Sequence, residues 1–356
     1  MSLSNRHTQR LFLILAAACV LVSPAGAGGG EARFRLESPY DFGAHPHKVQ
    51  LHAHTTNSDG DHSGEWVMQA YQNLRYAAVA ITDHDHARYM ASLADPKGHT
   101  ILHIPGIEYS GDDKGTSWNH MLGIHIRTVH HADGTGARQA QIEQAKKEEG
   151  LTYLCHPYDE SIHPRGWNGQ DVTEMVHGFT GIEIHNGGSY HEPGGRDYPY
   201  KVDLALTFGK RIHVIAVDDF HRNPQETMDR GYVVINSNRT AEALRLEDII
   251  SALSAGNYFA AGRVSTSHPV PPHFTDISVK GRTVRVQTDR PSDIEFITYR
   301  YNYHKEGPKY AQKNEGVTSA QFTASLEDRF VRITAAYTEN GKTSYAWSNP
   351  IYCEAE

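Results

Sequence analysis

Cysteine is scarce in this chain: Cys19, Cys155 and Cys353 are the only three in 356 residues. No two are spaced as a Cys-x-x-Cys pair, which excludes a disulfide-stapled scaffold and a thiolate zinc cluster. Long apolar runs are missing too. The uncharged stretch Leu11 to Val22 has 12 residues, too few for a hydrocarbon core of about 30 Å. Basic charge is not in excess, with 34 Lys and Arg against 42 Asp and Glu for a net charge of −8, which speaks against binding nucleic acid through a basic surface. No Gly-x-Ser-x-Gly elbow occurs, so a serine triad has no support. The glycine-rich stretch Gly187 to Arg196 lacks the Lys-Ser/Thr ending of a phosphate loop and the dinucleotide-binding spacing, and reads as a rim loop. Internal repeats and low-complexity segments are absent.

Histidine, in contrast, is abundant, with 24 copies, and neutral imidazole is the commonest side-chain ligand for transition metals. At the N-terminus, Arg6 and Arg10 precede the Leu11 to Val22 run, and Ala25-Gly26-Ala27 follows it. This order is that of a secretory signal peptide over residues 1–27, cleaved after Ala27. A secreted or periplasmic protein with no transmembrane span is the expectation; lipidation at Cys19 is the minor alternative. Removal of Cys19 leaves Cys155 and Cys353, expected as free buried thiols, although a pair between them stays open.

After an N-terminal segment over residues 28–47, short apolar runs alternate with helical patterns. Strands are expected at Gln50 to His54, Ala77 to Thr82, Ile101 to Ile107, His120 to Ile126, Thr152 to Cys155, Gly181 to Ile184, Ile212 to Val217 and Tyr232 to Ile235. Helices are expected at Gly64 to Asn73, Ala137 to Glu149, Pro199 to Phe208 and Leu246 to Ala255, the last with Gly256 as its cap. Such alternation makes an α/β domain with a parallel sheet or barrel over residues 48–264. The proline-rich Ser265 to Pro272 reads as a linker. Beyond it, Thr283 to Thr288 and Phe330 to Tyr337 alternate apolar and polar residues, and Asn340-Gly341 is a hairpin turn. Residues 273–356 therefore read as a small all-β, sandwich-like module. Tyr299, Tyr301 and Tyr303 in it are either core packing or a polysaccharide surface.

Six of the expected strand ends in the α/β part, and the start of one further strand, deliver a metal-type residue. His52 and His54 share one face of the first strand, with Asp59 in the following turn. Asp83-His84-Asp85-His86 follows the second strand and Glu108 the third, and His120 opens the fourth. Cys155-His156, Glu183-Ile-His185-Asn186 and Asp218-Asp219-Phe220-His221 complete the series. Core histidines with no shared role would not recur at six strand ends.

The motifs His52-Ala-His54-Thr-Thr-Asn-Ser-Asp59-Gly, Ile81-Thr-Asp-His84, Pro105-Gly-Ile-Glu108, His120-Met-Leu-Gly, His156-Pro and Asp219-Phe-His221 resemble, in order, those of the polymerase and histidinol phosphatase (PHP) family. The resemblance covers residues 48 to 262. It implies a distorted barrel of seven β/α units and two to three divalent ions, with His52, His54, Asp59, His84, Glu108, His120, His156, Asp219 and His221 as ligands. His52 and His54 would share one ion with Glu108 and Asp219, and Asp59 would join His84 and His221 on another. The whole plan is similar to secreted PHP metallohydrolases related to carbamate hydrolases.

Nine such ligands serve three ions only if a carboxylate bridges, and Glu108 is the expected bridge. Zinc, manganese and iron all suit oxygen and nitrogen donors. Three divalent ions would outweigh three carboxylates by about three charges, favouring an anionic ester. A metal-bound hydroxide held by Glu108, Asp219 and His221 is the expected nucleophile. Asp83 is expected either to support the ligands by hydrogen bonds or to cap a helix before His86. Glu183 and His185, two apart and so on one strand face, are expected to support ligands or touch substrate. Tyr158, Arg165, Arg222 and Arg263 follow strand or motif ends where an anionic substrate would lie.

The expected function is a phosphoesterase acting on a small anionic ester. A carboxylester or carbamate hydrolase on the same metals is the rival among enzymes; a metal- or glycan-binding protein is the rival from another class. A DNA exonuclease is disfavoured by the acidic charge.

Overall fold

In the computed structural model the described residues are 34–85, 100–110, 119–130, 136–157, 167, 169–188, 199–300 and 309–355. The strands before the linker are β1 (Phe34–Glu37), β2 (His45–Gln50), β3 (Ala78–Ile81), β4 (Leu102–Tyr109), β5 (Met121–Ile124), β6 (Leu151–Leu154), β7 (Gly181–Asn186), β8 (His213–Val217), β9 (Gly231–Ser237) and β10 (Tyr258–Arg263). Helices are α1 (Gly64–Asn73), α2 (Ala137–Lys147), α3 (Pro199–Thr207), the single turn α4 (Pro224–Thr227) and α5 (Leu246–Ala255), with a π turn at Asp171–Met175. Ser63 caps α1 by accepting from Trp66 N at 3.3 Å, and Val67, Met68 and Tyr71 supply its buried face. Gly256 ends α5 at φ +78°, and a Cβ there would also meet the His213 ring at 2.7 Å. Among the described residues no helix is long and apolar enough to cross a membrane.

The molecule is a mixed α/β fold built on one large sheet. Strands β10-β9-β2-β3-β4-β5-β6-β7-β8 run side by side. Pairs β2–β3, β3–β4, β6–β7 and β7–β8 are parallel. The fully parallel arrangement expected from the alternation is broken at β5, antiparallel to both β4 and β6, and again at β9 and β10. Only residues 110–120 separate β4 from β5, too few for the crossover that a parallel pair needs. The row curls so that β8 meets β9: a Cβ on Gly231 would lie 2.2 Å from the Val217 carbonyl oxygen. Inside the curl, Val49, Ala78, Ile104, Leu122, Tyr153, Ile215 and Val233, one from each of seven strands, share an apolar cluster with Ile249 and Leu253 of α5. All are fully buried, and each Val, Leu or Ile side chain among them is worth about 1.5–3 kcal/mol of transfer free energy.

Beyond the linker come β11 (Phe274–Lys280), β12 (Thr283–Arg300), β13 (Lys309–Thr323), β14 (Asp328–Glu339), β15 (Lys342–Ser348) and β16 (Ile351–Ala355). They pair antiparallel throughout. Sheet pairing continues across the linker, because β15 pairs with β10 from Phe259↔Ser348 to Arg263↔Ser344. The N-terminal β1 likewise pairs with β16. Residues 34 onward form a single compact unit.

Candidate metal centre

The nine motif residues meet where the strands β2, β3, β4, β6 and β8 end and where β5 begins. β2 stops at Gln50, so His52 and His54 lie past the strand in which the sequence places them. Past Gln50 a single bridge pairs Ala53 with Phe220, and the other backbone hydrogen bonds go elsewhere. Gln50 Oε1 accepts His52 N at 3.1 Å and Asp218 N at 3.2 Å, while Gln50 Nε2 donates to Gly231 O at 2.9 Å. His54 N donates to Phe220 O at 2.8 Å. One buried amide thus ties the ends of β2, β8 and β9 together.

Asp83 holds the loop that follows. Its Oδ1 accepts from Thr55 N and Ser58 Oγ, both at 2.7 Å, and its Oδ2 from Thr55 Oγ1 at 2.7 Å. These bonds brace the loop that carries Asp59. His86, before which the capping role was placed, lies outside the described residues. Asp218 acts similarly on the turn before Asp219: Oδ1 accepts Arg230 N at 2.7 Å and Gly231 N at 2.8 Å, and Oδ2 accepts Asp229 N and Tyr71 Oη at 2.8 Å.

The side chains converge as three overlapping groups. His52 Nε2 lies 3.1 Å from His54 Nε2, 3.2 Å from Glu108 Oε2 and 3.2 Å from Asp219 Oδ1. His54 Nε2 is 3.1 Å from Glu108 Oε2 and 3.5 Å from Asp219 Oδ1. Four donors held about 2.0–2.1 Å from one tetrahedral ion would sit about 3.3–3.4 Å apart. Asp59 gathers the second group, with Oδ1 at 3.2 Å from His54 Nδ1, and Oδ2 at 3.6 Å from His84 Nε2 and 3.3 Å from His221 Nε2. The third uses the other oxygen of Glu108: Oε1 is 2.8 Å from His120 Nδ1 and 3.0 Å from His156 Nε2. Glu108 thereby faces two groups, one with each oxygen. Asp219 Oδ1, a buried atom, faces the imidazole nitrogens of His52, His54 and His221 at 3.2, 3.5 and 3.5 Å. The donor chemistry and spacing fit divalent cations.

Electrostatics agree with that fit. Burial opposes protonation of His52, yet Asp219, Glu108 and Glu183 raise its imidazole to about 10. His54 is likewise raised well above its ordinary value against burial, by Asp219, Asp59 and Glu108. Despite burial, Glu108 is held far below the carboxylate range by His52, His120 and His84, and Asp219 by His52, His54 and His221. Burial pushes His120 down to about 4. The carboxylates favour protons on His52 and His54, a compensation that cations would take over. Two of the group adopt backbone angles rare for their residue types, His156 at φ +26° and Asp219 at φ +51°, strain that a functional site retains.

The remaining candidates divide. Glu183 joins the site: Oε1 lies 2.7 Å from His52 Nδ1, and Oε2 accepts His156 N at 2.5 Å. His185 does not share its face. A bulge between Glu183 and His185 in the β7–β8 pairing breaks the alternation, so His185 hydrogen-bonds Arg230 O at 3.0 Å and stacks on Trp347. Asn186 takes the place beside Glu183, which strand alternation from Glu183 did not show. Arg263 is committed to Asp229, through Nη2 to Oδ2 at 2.6 Å and Nε to the carbonyl at 2.8 Å, so it is not an open anion contact. Arg222 is exposed beside His221. Tyr158, Arg165, Tyr301, Tyr303 and the Gly187 to Arg196 loop beyond Gly188 lie outside the described residues. Cys155 is buried and Cys353 partly so, both as free thiols; Cys155 Sγ comes within 4.8 Å of donors of Glu108 and His156.

No protein-family model matches this chain. One stretch of 127 residues, 33% of the chain, is 29% identical to the 5'-3' exoribonuclease Rnm of Salmonella typhimurium and spans 40% of that protein's length. Among solved structures, a two-domain protein from Bacteroides vulgatus containing a predicted PHP-like metal-dependent phosphoesterase overlaps 91% of this chain and all of its own, at 15% identity and a TM-score of 0.45. An amidohydrolase from Chromobacterium violaceum, with bound sulfate and no metal, overlaps 49% of this chain and 87% of its own, at 14% identity and a TM-score of 0.35.

Proposed function

We propose that this protein is a metal-dependent hydrolase of phosphate esters. Two to three divalent ions, zinc, manganese or iron, would be held by His52, His54, Asp59, His84, Glu108, His120, His156, Asp219 and His221. The observation that carries this reading is the approach of four donors from His52, His54, Glu108 and Asp219 to tetrahedral-edge spacing. Bound there, divalent ions lower the pKa of water from about 15.7 towards 7 and polarise a phosphoryl oxygen. His52 and His54 are fully buried, whereas Asp59 is 34% and His221 25% exposed. The side open to substrate is therefore the Asp59–His221 edge, and Glu108, Asp219 and His221 would hold the metal-bound water. Arg222, next in the chain, offers a guanidinium fork to the phosphate. A distorted barrel of the seven strands β2 to β8, closed through β9, and export through residues 1–27 belong to the same proposal.

The partial likeness to an exoribonuclease supports a second reading, in which the ester is a phosphodiester at an RNA 5′ end. Both readings differ from ester or carbamate hydrolysis in the reacting atom. Turnover of p-nitrophenyl phosphate, bis-p-nitrophenyl phosphate, a 5′-phosphorylated RNA oligonucleotide, and aryl acetate and carbamate, each with and without chelator, tests them. Chelator-sensitive release from one or more phosphate substrates is expected. Turnover confined to acetate or carbamate, or to none, overturns the phosphoesterase reading; RNA alone among the phosphates selects the second.

A further inference from the structure

Asn186 and Glu183, neighbours at the end of β7, form one hydrogen-bonded unit behind two donor groups. Asn186 Nδ2 donates to Glu183 Oε2 at 2.9 Å and to Asp219 Oδ2 at 3.2 Å. Glu183 Oε2 also accepts His156 N, and its Oε1 receives the Nδ1 side of His52 at 2.7 Å. Glu183, His52 and Asn186 are buried to 1% or less. Each contact leaves a donor one way to point. A proton kept on His52 Nδ1 by Glu183 leaves the Nε2 lone pair towards His54, Glu108 and Asp219. Tying Asp219 Oδ2 to Asn186 leaves Oδ1 facing His52, His54 and His221, at 3.2, 3.5 and 3.5 Å. The bond to His156 N pins a backbone at φ +26° that an L-residue rarely adopts.

We propose that the Glu183–Asn186 pair is a positioning device for metal binding, which sets the His52 tautomer, the donor oxygen of Asp219 and the backbone of His156 at once. This rests on the metal-hydrolase reading above. The pair couples the group of His52, His54, Glu108 and Asp219 to that of Glu108, His120 and His156 through backing contacts, in addition to the oxygens of Glu108. Its loss should weaken both groups together. A glutamine at 183 can accept from His52 or from His156 with its one carbonyl oxygen, but its NH2 opposes the other donor. Even this near-isosteric change should therefore be felt.

The full chain, stripped and reloaded with Co2+ from a metal buffer, reads the pair in two ways: bound cobalt by elemental analysis, and the d–d absorption band. Glu183→Gln and Asn186→Leu should each lower apparent affinity roughly 10- to 100-fold and change the band. His185→Gln, on the opposite side of β7, controls for disturbance of the strand and should leave both readings as in the unaltered protein. If the unaltered chain takes up no cobalt, the metal-hydrolase reading itself fails. If it does, and the two variants match it or fall no further than His185→Gln, the positioning role is overturned. Should Asn186→Leu not fold by circular dichroism, Asn186→Ala carries the same test.

Discussion

His52 Nε2 and His54 Nε2 face each other at 3.1 Å, with Glu108 Oε2 within 3.2 Å of both. Their other nitrogens lie against Glu183 and Asp59 respectively. A cation between the two imidazoles would take over from imidazole protons in compensating the paired carboxylates Glu108 and Asp219. Glu108 reaches His120 and His156 with its other oxygen, so one substitution should reach two groups.

Glu108→Gln replaces one donor oxygen with an NH2 that cannot ligate. Metal content after dialysis is expected to fall by at least one ion per chain, and turnover of the preferred phosphate ester by about 100-fold or more. Elemental analysis and steady-state kinetics check this. Full metal content with full turnover would remove Glu108 from the site.

Removing metal should also lower stability, because a ligand that binds the native state alone contributes about 2.7 kcal/mol at one hundred times its dissociation constant. In a chain of this size that is a fall of several degrees in Tm. Thermal unfolding with chelator, and again after adding back Zn2+ or Mn2+, measures it. An unchanged Tm in protein that analysis shows to have lost its metal would mean that the groups do not bind cations tightly.

Away from the site, Arg332 of β14 meets Asp203 of α3 in a buried bidentate pair, with Nη2 at 2.8 and 2.9 Å from the two carboxylate oxygens. Arg332→Met leaves that carboxylate buried without its partner and should cost about 3–5 kcal/mol, of which Asp203→Leu in the same chain restores a large part. Urea midpoints of the single and double variants give the coupling, and metal content should not change. Additive losses would show the pair to be independent.

Much of this was legible in the chain because the signals were local. Gly256 marks the end of α5 through capping chemistry, and the apolar runs locate β3 to β9 through their composition. The gathering of His52, His84, Glu108, His156 and Asp219 follows from their places at strand ends. What remained hidden depends on partners distant in sequence. His52 and His54 look like strand residues, but their backbone is held by Gln50 and Phe220. A single bulge exchanges the faces of His185 and Asn186, and alternation offers no sign of it. β10, Tyr-Phe-Ala-Ala-Gly-Arg, is paired on both sides by β9 and β15, so it lacks the polar face that marks an exposed strand. Arg263 reads as an anion binder until Asp229 is seen beside it.

His213 offers a pH signature outside the metal centre. Its ring is covered by Gly256 and meets Tyr258 edge-on, and burial pushes its imidazole down from 6.5 to about 4. As pH falls below about 6.5 the unfolded chain takes up this proton while the folded chain does not. Stability is therefore intact above that pH, declines between about 6.5 and 4, and levels off below. The full loss is about 3 kcal/mol. His213→Leu removes the titrating ring, so the urea midpoint of the variant should fall less steeply over this window, with chelator present throughout to silence the metal groups. The stability gap between the two proteins should shift in favour of the variant by about 2–3 kcal/mol from pH 7 to pH 4. Parallel curves would mean that His213 protonates as readily in the folded chain as in the unfolded one.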